Sequence, residues 1–140
     1  MWSPDPADII TADMKRAAEQ YVIRSAINAE RDRRIAGGFE FNGHRFQSRP
    51  EDRENIAGAA TAALGAIVNG ASPGDLRWHG GDSDFVWIDE KNLPHPMDAQ
   101  TVYALGQAAM QHKQAHIFAA RALKDAEIVP ADFATGPYWP

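Results

Sequence analysis

Apolar residues recur with helical spacing in three long segments of the chain and alternate with polar residues in two short ones. The helical segments span about residues 6–34, 48–69 and 98–127, and the alternating segments lie at about residues 39–46 and 76–88. A two-stranded ribbon is marginal in water on its own, so each hairpin needs a helical surface beneath it. The pattern therefore predicts an α+β fold, with three main helices and two short antiparallel β-hairpins packed on them.

The first hairpin turns at Asn42-Gly43, a pair typical of a type I′ turn because both residues adopt positive φ. This two-residue turn fixes the register, which pairs Phe41 with His44, Glu40 with Arg45 and Phe39 with Phe46. The aromatic side chains and His44 then share the face toward the core. The opposite charges of Glu40 and Arg45 meet on the outer face.

The second hairpin is predicted to pair residues 76–79 with residues 84–88 across a glycine-rich loop. With this register the aromatic residues of the hairpin share the core face: Trp78, Phe85 and Trp87. Each such aromatic removes about 150–250 Å² from water when it is buried. Pro94 and Pro96 are predicted to lead the chain away from the sheet, because proline cannot donate a ladder hydrogen bond.

The first helix carries two apolar stripes on different sides. One stripe contains Met14 and Tyr21, and the other contains Ile9, Ile23 and Ile27. A helix with two weak stripes is more often held between two neighbours than packed on one. We expect Met14 and Tyr21 to lie on the chain's own core, and the isoleucine stripe to contact another subunit or a neighbouring protein.

The second helix is expected to begin with a capping box, in which Ser48 caps the chain and Glu51 reaches back to it. Gly58 and Gly65 lie on one side of this helix. Each glycine costs about 1 kcal/mol relative to alanine inside a helix, so the pair predicts another backbone passing close by.

The third helix is expected to begin after the N-cap Asp98 and to bury one broad apolar face. Phe118 projects to its other side, either covered by the N-terminal helix or exposed for a partner. The C-terminal segment after it contains Phe133, Tyr138 and Trp139. Disordered tails are poor in aromatic residues, so we expect this one to dock on the rest of the chain.

Composition and charge narrow the range of functions. The 140 residues suffice for one domain with a core, and a formal net charge of −5 argues against a nucleic-acid partner. The absence of cysteine excludes disulfides and thiolate chemistry. No apolar stretch approaches the roughly 20 residues of a membrane span, and no signal peptide is evident, so we expect synthesis in the cytoplasm.

Two groups of residues raise the question of metal binding. His112 and His116 stand four apart on a helix, but they lack an adjacent glutamate and a third ligand, which favours a hydrogen-bonded core histidine. Asp82, Asp84 and Asp89 lack the spacing of an EF-hand, which favours turn aspartates over a calcium loop. No serine stands in a nucleophile motif, and no phosphate-binding fingerprint occurs. The sequence predicts no enzyme, no cofactor and no metal site.

Two runs resemble the opening of an uncharacterised domain of tailed bacteriophages: RDRRIAGGFEFNG at residues 31–43 and RENIAGAA at residues 53–60. The resemblance continues in order through Trp78, residues 85–87, Asn92, residues 97–99, residues 112–116 and residues 121–126. It covers roughly residues 28–127. Members of that family are domains of unknown function in tail, tail-fibre and tail-fibre-assembly proteins, with no established catalytic residues.

The resemblance implies a non-enzymatic structural component of a phage or prophage-derived tail, at the baseplate or the tail-fibre attachment, and thus a place in the virion tail. The alternative is a tail-fibre assembly chaperone, which binds a fibre or tail protein and is absent from the mature particle. The least favoured alternative is a metal-dependent enzyme that uses His112 and His116. The implied partners are other tail proteins, fibre subunits or further copies of the chain, without nucleic acid.

On this interpretation the chain has three parts. Residues 1–34 form an assembly arm, residues 35–128 a compact α+β domain, and residues 129–140 an aromatic C-terminal tail. The residues expected to bind a partner lie on the arm, on the third helix and in the tail: Ile9, Ile23, Ile27, Phe118, Tyr138 and Trp139.

Overall fold

The computed structural model describes residues 3 and 5–140, with the side chains of residues 7–10 left out of the description. The elements in chain order are α1 Pro6–Ile35, β1 Phe39–Phe41, β2 His44–Phe46, α2 Pro50–Val68, β3 Val86–Ile88, β4 Pro94–Pro96 and α3 Ala99–Asp125. The fold is α+β, with three helices and two separate two-stranded antiparallel sheets. This confirms the predicted fold class. No helix in the described part of the chain is both long and apolar enough to span a bilayer.

The first hairpin has the predicted register, in which Phe39 pairs with Phe46 and Phe41 with His44. Asn42 and Gly43 have φ of 51° and 78°, as a type I′ turn requires. The outer face differs from the prediction. Arg45 forms its ion pair with Glu90, with Nε 3.2 Å from the carboxylate, rather than with Glu40 across the ladder.

The second sheet has a different partner strand from the one predicted. Strand β3 pairs with β4 in the register Val86–Pro96, Trp87–His95 and Ile88–Pro94, while residues 76–79 form turns. The prediction failed because prolines are tolerated where their nitrogens face away from the partner strand. Ladder bonds lie on either side of them: Asp89 N–H donates to the Leu93 carbonyl, and Met97 N–H donates to the Phe85 carbonyl.

The side chains of this segment nevertheless lie on the predicted faces. Trp78, Phe85 and Trp87 are half-buried against the main core, whereas Val86 and Ile88 are exposed. The indole N–H of Trp78 donates to the Met97 carbonyl at 3.1 Å, which ties the turn region to the end of β4.

The main core lies between α2, α3 and the first hairpin. Its buried members are Phe39, Phe46, Ile56, Ala63, Met97, Ala99, Val102, Leu105 and Ala109. Helices α2 and α3 approach closely at Gly106, where a Cβ would lie 2.5 Å from the Cβ of Ala60. The close backbone predicted beside Gly58 and Gly65 is not found among the described residues, none of which lies within 4 Å of a Cβ built at either glycine.

The cap of α2 is shifted by one residue from the prediction. Arg49 is the N-cap, and its N–H donates to the carboxylate of Asp52 at 3.0 Å. Ser48 is fully buried instead: its hydroxyl accepts from Gly38 N–H and donates to the Ile35 carbonyl. Ser48 therefore joins the end of α1 to the first hairpin. The N-cap of α3 is Asp98, as predicted, which accepts from Thr101 N–H at 2.8 Å.

A second, smaller core lies where the later part of α1 meets the end of α3 and the C-terminal segment. Its buried members are Ile27, Ala120 and Leu123, with Ile23, Val129, Phe133, Tyr138 and Trp139 packed around them. The Trp139 indole N–H donates to the Phe133 carbonyl at 2.8 Å, and the Arg34 guanidinium lies 5.3 Å from the Trp139 ring centroid. The C-terminal segment is docked, as the sequence predicted.

Candidate functional site

The first half of α1 projects from the body of the protein. Every residue from 11 to 22 is exposed, and burial along the helix begins only at Ile23. At a rise of 1.5 Å per residue, residues 6–22 extend for about 25 Å. We call residues 6–22 the arm. This segment is shorter than the assembly arm of residues 1–34 that the sequence predicted.

The two stripes of α1 are placed in the opposite way from the prediction. Met14 and Tyr21, expected on the chain's own core, are 66% and 73% exposed. Ile27 is fully buried and Ile23 is half-buried, both in the second core. The side chain of Ile9 lies outside the described residues. Met14 and Ile23 are separated by nine residues, hence by about 180° around the helix, so a helix that buries one stripe against α3 presents the other to solvent.

This arrangement changes which residues can reach a partner. Ile27 has no exposed surface, and Ile23 has little. Among residues 11–22 the large apolar side chains are those of Met14, Tyr21 and Val22, the last of which is 64% exposed. Charged residues surround them, including an ion pair between Arg16 and Asp13.

Phe118 of α3 is exposed over 62% of its surface, so the N-terminal helix does not cover it. Met110 and Ile117 of the same helix are also exposed. Tyr138 and Trp139 are half-buried in the second core, where the Tyr138 hydroxyl donates to Asp132. Of the predicted partner-binding residues that the structure describes, Phe118 is the most accessible.

The histidine pair of α3 has hydrogen-bonded structural roles. The His112 Nε2–H donates to the Ile35 carbonyl at 3.0 Å, and the His116 Nδ1–H donates to the His112 carbonyl at 2.7 Å. His116 is buried, as the prediction of a core histidine requires. Burial lowers the pKa of His112 below its ordinary value of 6.5, an effect that its hydrogen bond to the Ile35 carbonyl opposes.

Asp89 has the turn role that the sequence predicted, because its Oδ1 accepts from the N–H groups of Lys91 and Leu93. Its Oδ2 faces His95 and His44, and these three residues form a cluster of candidate metal ligands that the sequence did not predict. His44 was expected on the inner face of the first hairpin. His95 was overlooked because β4 was not recognised as a strand.

The fold and the exposed arm define a small α+β protein with exposed large apolar residues on all three helices. The chain belongs to the DUF4376 family, a domain of unknown function, whose sequence signature matches residues 17–135. No curated protein and no solved structure shows a significant match.

The family match extends beyond residues 28–127 at both ends. It includes Ile23, Ile27 and Phe133, and these residues build the second core. The later part of α1 and most of the C-terminal segment therefore belong to the family domain. Most of the arm, up to residue 16, lies outside the match.

Proposed function

We propose that the protein is a non-enzymatic structural component of a bacteriophage or prophage-derived tail, at the baseplate or the tail-fibre attachment, and that the arm binds a neighbouring tail protein. Two observations support this proposal. One is the sequence resemblance at residues 28–127. The other is the projection of the arm, which carries the proposal because it sets exposed apolar side chains apart from the body.

The arm is a long helical segment whose side chains are exposed along residues 11–22. Isolated helices of up to about 15 residues are marginal in water, and most helical stability in proteins comes from packing of an apolar face. Residues 11–22 of the arm are all exposed, and they present the large apolar side chains of Met14, Tyr21 and Val22 to solvent. A partner that covers these residues gains about 1.5–3 kcal/mol for each large apolar side chain that it fully buries.

Full-length variants test the arm. In cells that assemble the phage, the chain is cross-linked to its neighbours and the products are identified by mass spectrometry. The double variant Met14→Gln/Tyr21→Gln keeps good helix formers and removes the apolar contacts. The matched control is Leu64→Gln/Val68→Gln, a second exposed apolar pair on a helix.

We expect cross-links from the parent chain and the control to a tail protein. The arm variant should form at least about tenfold fewer, since two buried side chains are worth several kcal/mol. Equal cross-linking by the arm variant and the parent would contradict a binding role for the arm. Cross-links to proteins outside the tail alone would contradict the proposed location.

A further inference from the structure

A histidine–aspartate–histidine cluster lies where the two hairpins meet. His44 begins β2, His95 is the central residue of β4, and Asp89 follows β3. One ligand atom from each residue lies within 4.8 Å of the other two. The β3–β4 pairing brings Asp89 and His95 together. The two sheets share no ladder, so contacts between the hairpins bring His44 to them.

The carboxylate of Asp89 is held in a fixed orientation. Asp89 is buried, and its Oδ1 accepts from Lys91 N–H at 2.8 Å and from Leu93 N–H at 3.0 Å. Its Oδ2 faces the histidines, 2.7 Å from His95 Nε2 and 3.8 Å from His44 Nδ1. Hydrogen bonds of this kind to the far side of a carboxylate orient it toward a metal ion in known metal sites.

The two imidazoles lie against each other, with ring centroids 4.3 Å apart. The Phe46 ring packs on His95, 5.4 Å away, and forms an apolar wall. The hydrogen bond to Asp89 accounts for the position of His95. It does not account for His44, because 3.8 Å is too long for a hydrogen bond. The side chain of His44 is 48% exposed, which leaves an open route from solvent.

We propose that His44 Nδ1, Asp89 Oδ2 and His95 Nε2 bind a divalent transition-metal ion, with Zn²⁺ as the expected class. Imidazole nitrogen and carboxylate oxygen are donors that suit zinc. Bonds of about 2.0–2.2 Å place tetrahedral ligand atoms roughly 3.3–3.6 Å apart. The distances of 2.7 and 3.8 Å lie on either side of that range, so small side-chain rotations complete the site.

The ion replaces the proton between His95 Nε2 and Asp89 Oδ2. That proton passes to solvent while His95 Nδ1 takes one up, so His95 binds the ion as a neutral imidazole. Three protein ligands leave the fourth position for water or for a group from a partner. In the free chain the hairpins are already joined by a hydrogen bond from Glu90 N–H to the Arg45 carbonyl at 2.8 Å. A metal ion would add a further link between two sheets that are each marginal alone, and binding to the native state alone would stabilise the fold.

The test uses tag-free, full-length protein that has been stripped of metal and titrated with Zn²⁺, followed by calorimetry and thermal unfolding. We expect one zinc ion per chain and a Tm that rises with free Zn²⁺ concentration. His44→Gln should weaken zinc binding by at least about tenfold, since even outer-shell changes have effects of this size. His95→Gln should do the same.

His79→Gln is the matched control, because His79 is exposed and lies outside the cluster. It should bind zinc like the parent chain. His44 is half-exposed, so its variant should fold even if the His95 variant does not, and far-UV circular dichroism checks this. The inference is overturned if the parent binds no zinc, if His44→Gln binds as well as the parent, or if His79→Gln loses as much affinity as His44→Gln.

Discussion

Gly106 of α3 lies so close to Ala60 of α2 that a Cβ at position 106 would be 2.5 Å from the Cβ of Ala60. Neither atom can move without its backbone, because both are the first atoms of their side chains. We therefore expect Gly106→Ala to destabilise the protein by about 1–3 kcal/mol through overpacking, measured by chemical denaturation.

Gly58→Ala is the matched control, since nothing lies within 4 Å of a Cβ built at Gly58. Alanine in the interior of an exposed helix should stabilise the protein by up to about 1 kcal/mol. Effects of the same sign at the two glycines would contradict the close crossing of α2 and α3.

The turn of the first hairpin depends on backbone conformation alone. Gly43 has φ of 78°, and nothing surrounds its Cβ position. Gly43→Val should cost more than about 1 kcal/mol, because a β-branched residue is strongly disfavoured at positive φ. Glu40→Gln should stay within about 0.5 kcal/mol, as for most surface substitutions. A comparison of the two denaturation midpoints checks this, and equal effects would refute the type I′ turn.

The stability of the protein should fall on mild acidification because of His112. Burial, partly opposed by its bond to the Ile35 carbonyl, holds its folded pKa below the ordinary value of 6.5. The unfolded chain thus binds the proton more readily, and stability decreases as pH falls below about 6.5. The hydrogen bond to His95 holds the pKa of Asp89 below its ordinary value of 3.8, so this carboxyl group affects stability only at lower pH.

Denaturation of the parent and of His112→Gln at about pH 7.5 and pH 5.5 measures this effect. The parent should lose more stability than the variant over this interval. His79→Gln serves as the control and should behave like the parent. An identical loss in the parent and His112→Gln would contradict the assignment.

The division of α1 into an arm and a core segment predicts unequal effects of substitution. Ile27→Ala removes a fully buried side chain and should cost about 2–5 kcal/mol. Tyr21→Ala removes one that is 73% exposed and should change the free energy of unfolding by less than about 0.5 kcal/mol. Thermal unfolding of the two variants checks this. A large loss for Tyr21→Ala would place the arm in the folding unit.

Local chemistry allowed several features to be predicted from the sequence. Asn42-Gly43 specifies its own turn and therefore its register, and Asp98 caps α3 through a bond only three residues away. The strand partner of β3 could not be predicted, because residues 76–79 show the same alternation as a strand and because Pro94 and Pro96 obscure one.

The exposed surfaces and the histidine–aspartate cluster could not be predicted, because both depend on long-range packing. Which stripe of α1 is buried is decided by α3 and the C-terminal segment, through the second core that Ile27 shares with Leu123. No local feature of the sequence indicates which of the two stripes is buried. The His44–Asp89–His95 cluster likewise requires the β3–β4 pairing, so an incorrect strand assignment concealed it.

The central claim is that this chain is a structural part of a phage tail, and the protein content of purified particles tests it most directly. Quantitative mass spectrometry of particles from cells that express the parent chain should find it in a fixed ratio to the other tail proteins. The Met14→Gln/Tyr21→Gln variant should be depleted at least about tenfold relative to the Leu64→Gln/Val68→Gln control. Absence of the parent chain from purified particles would contradict the claim, and if it were still bound to a tail protein in the cell, it would be an assembly chaperone instead.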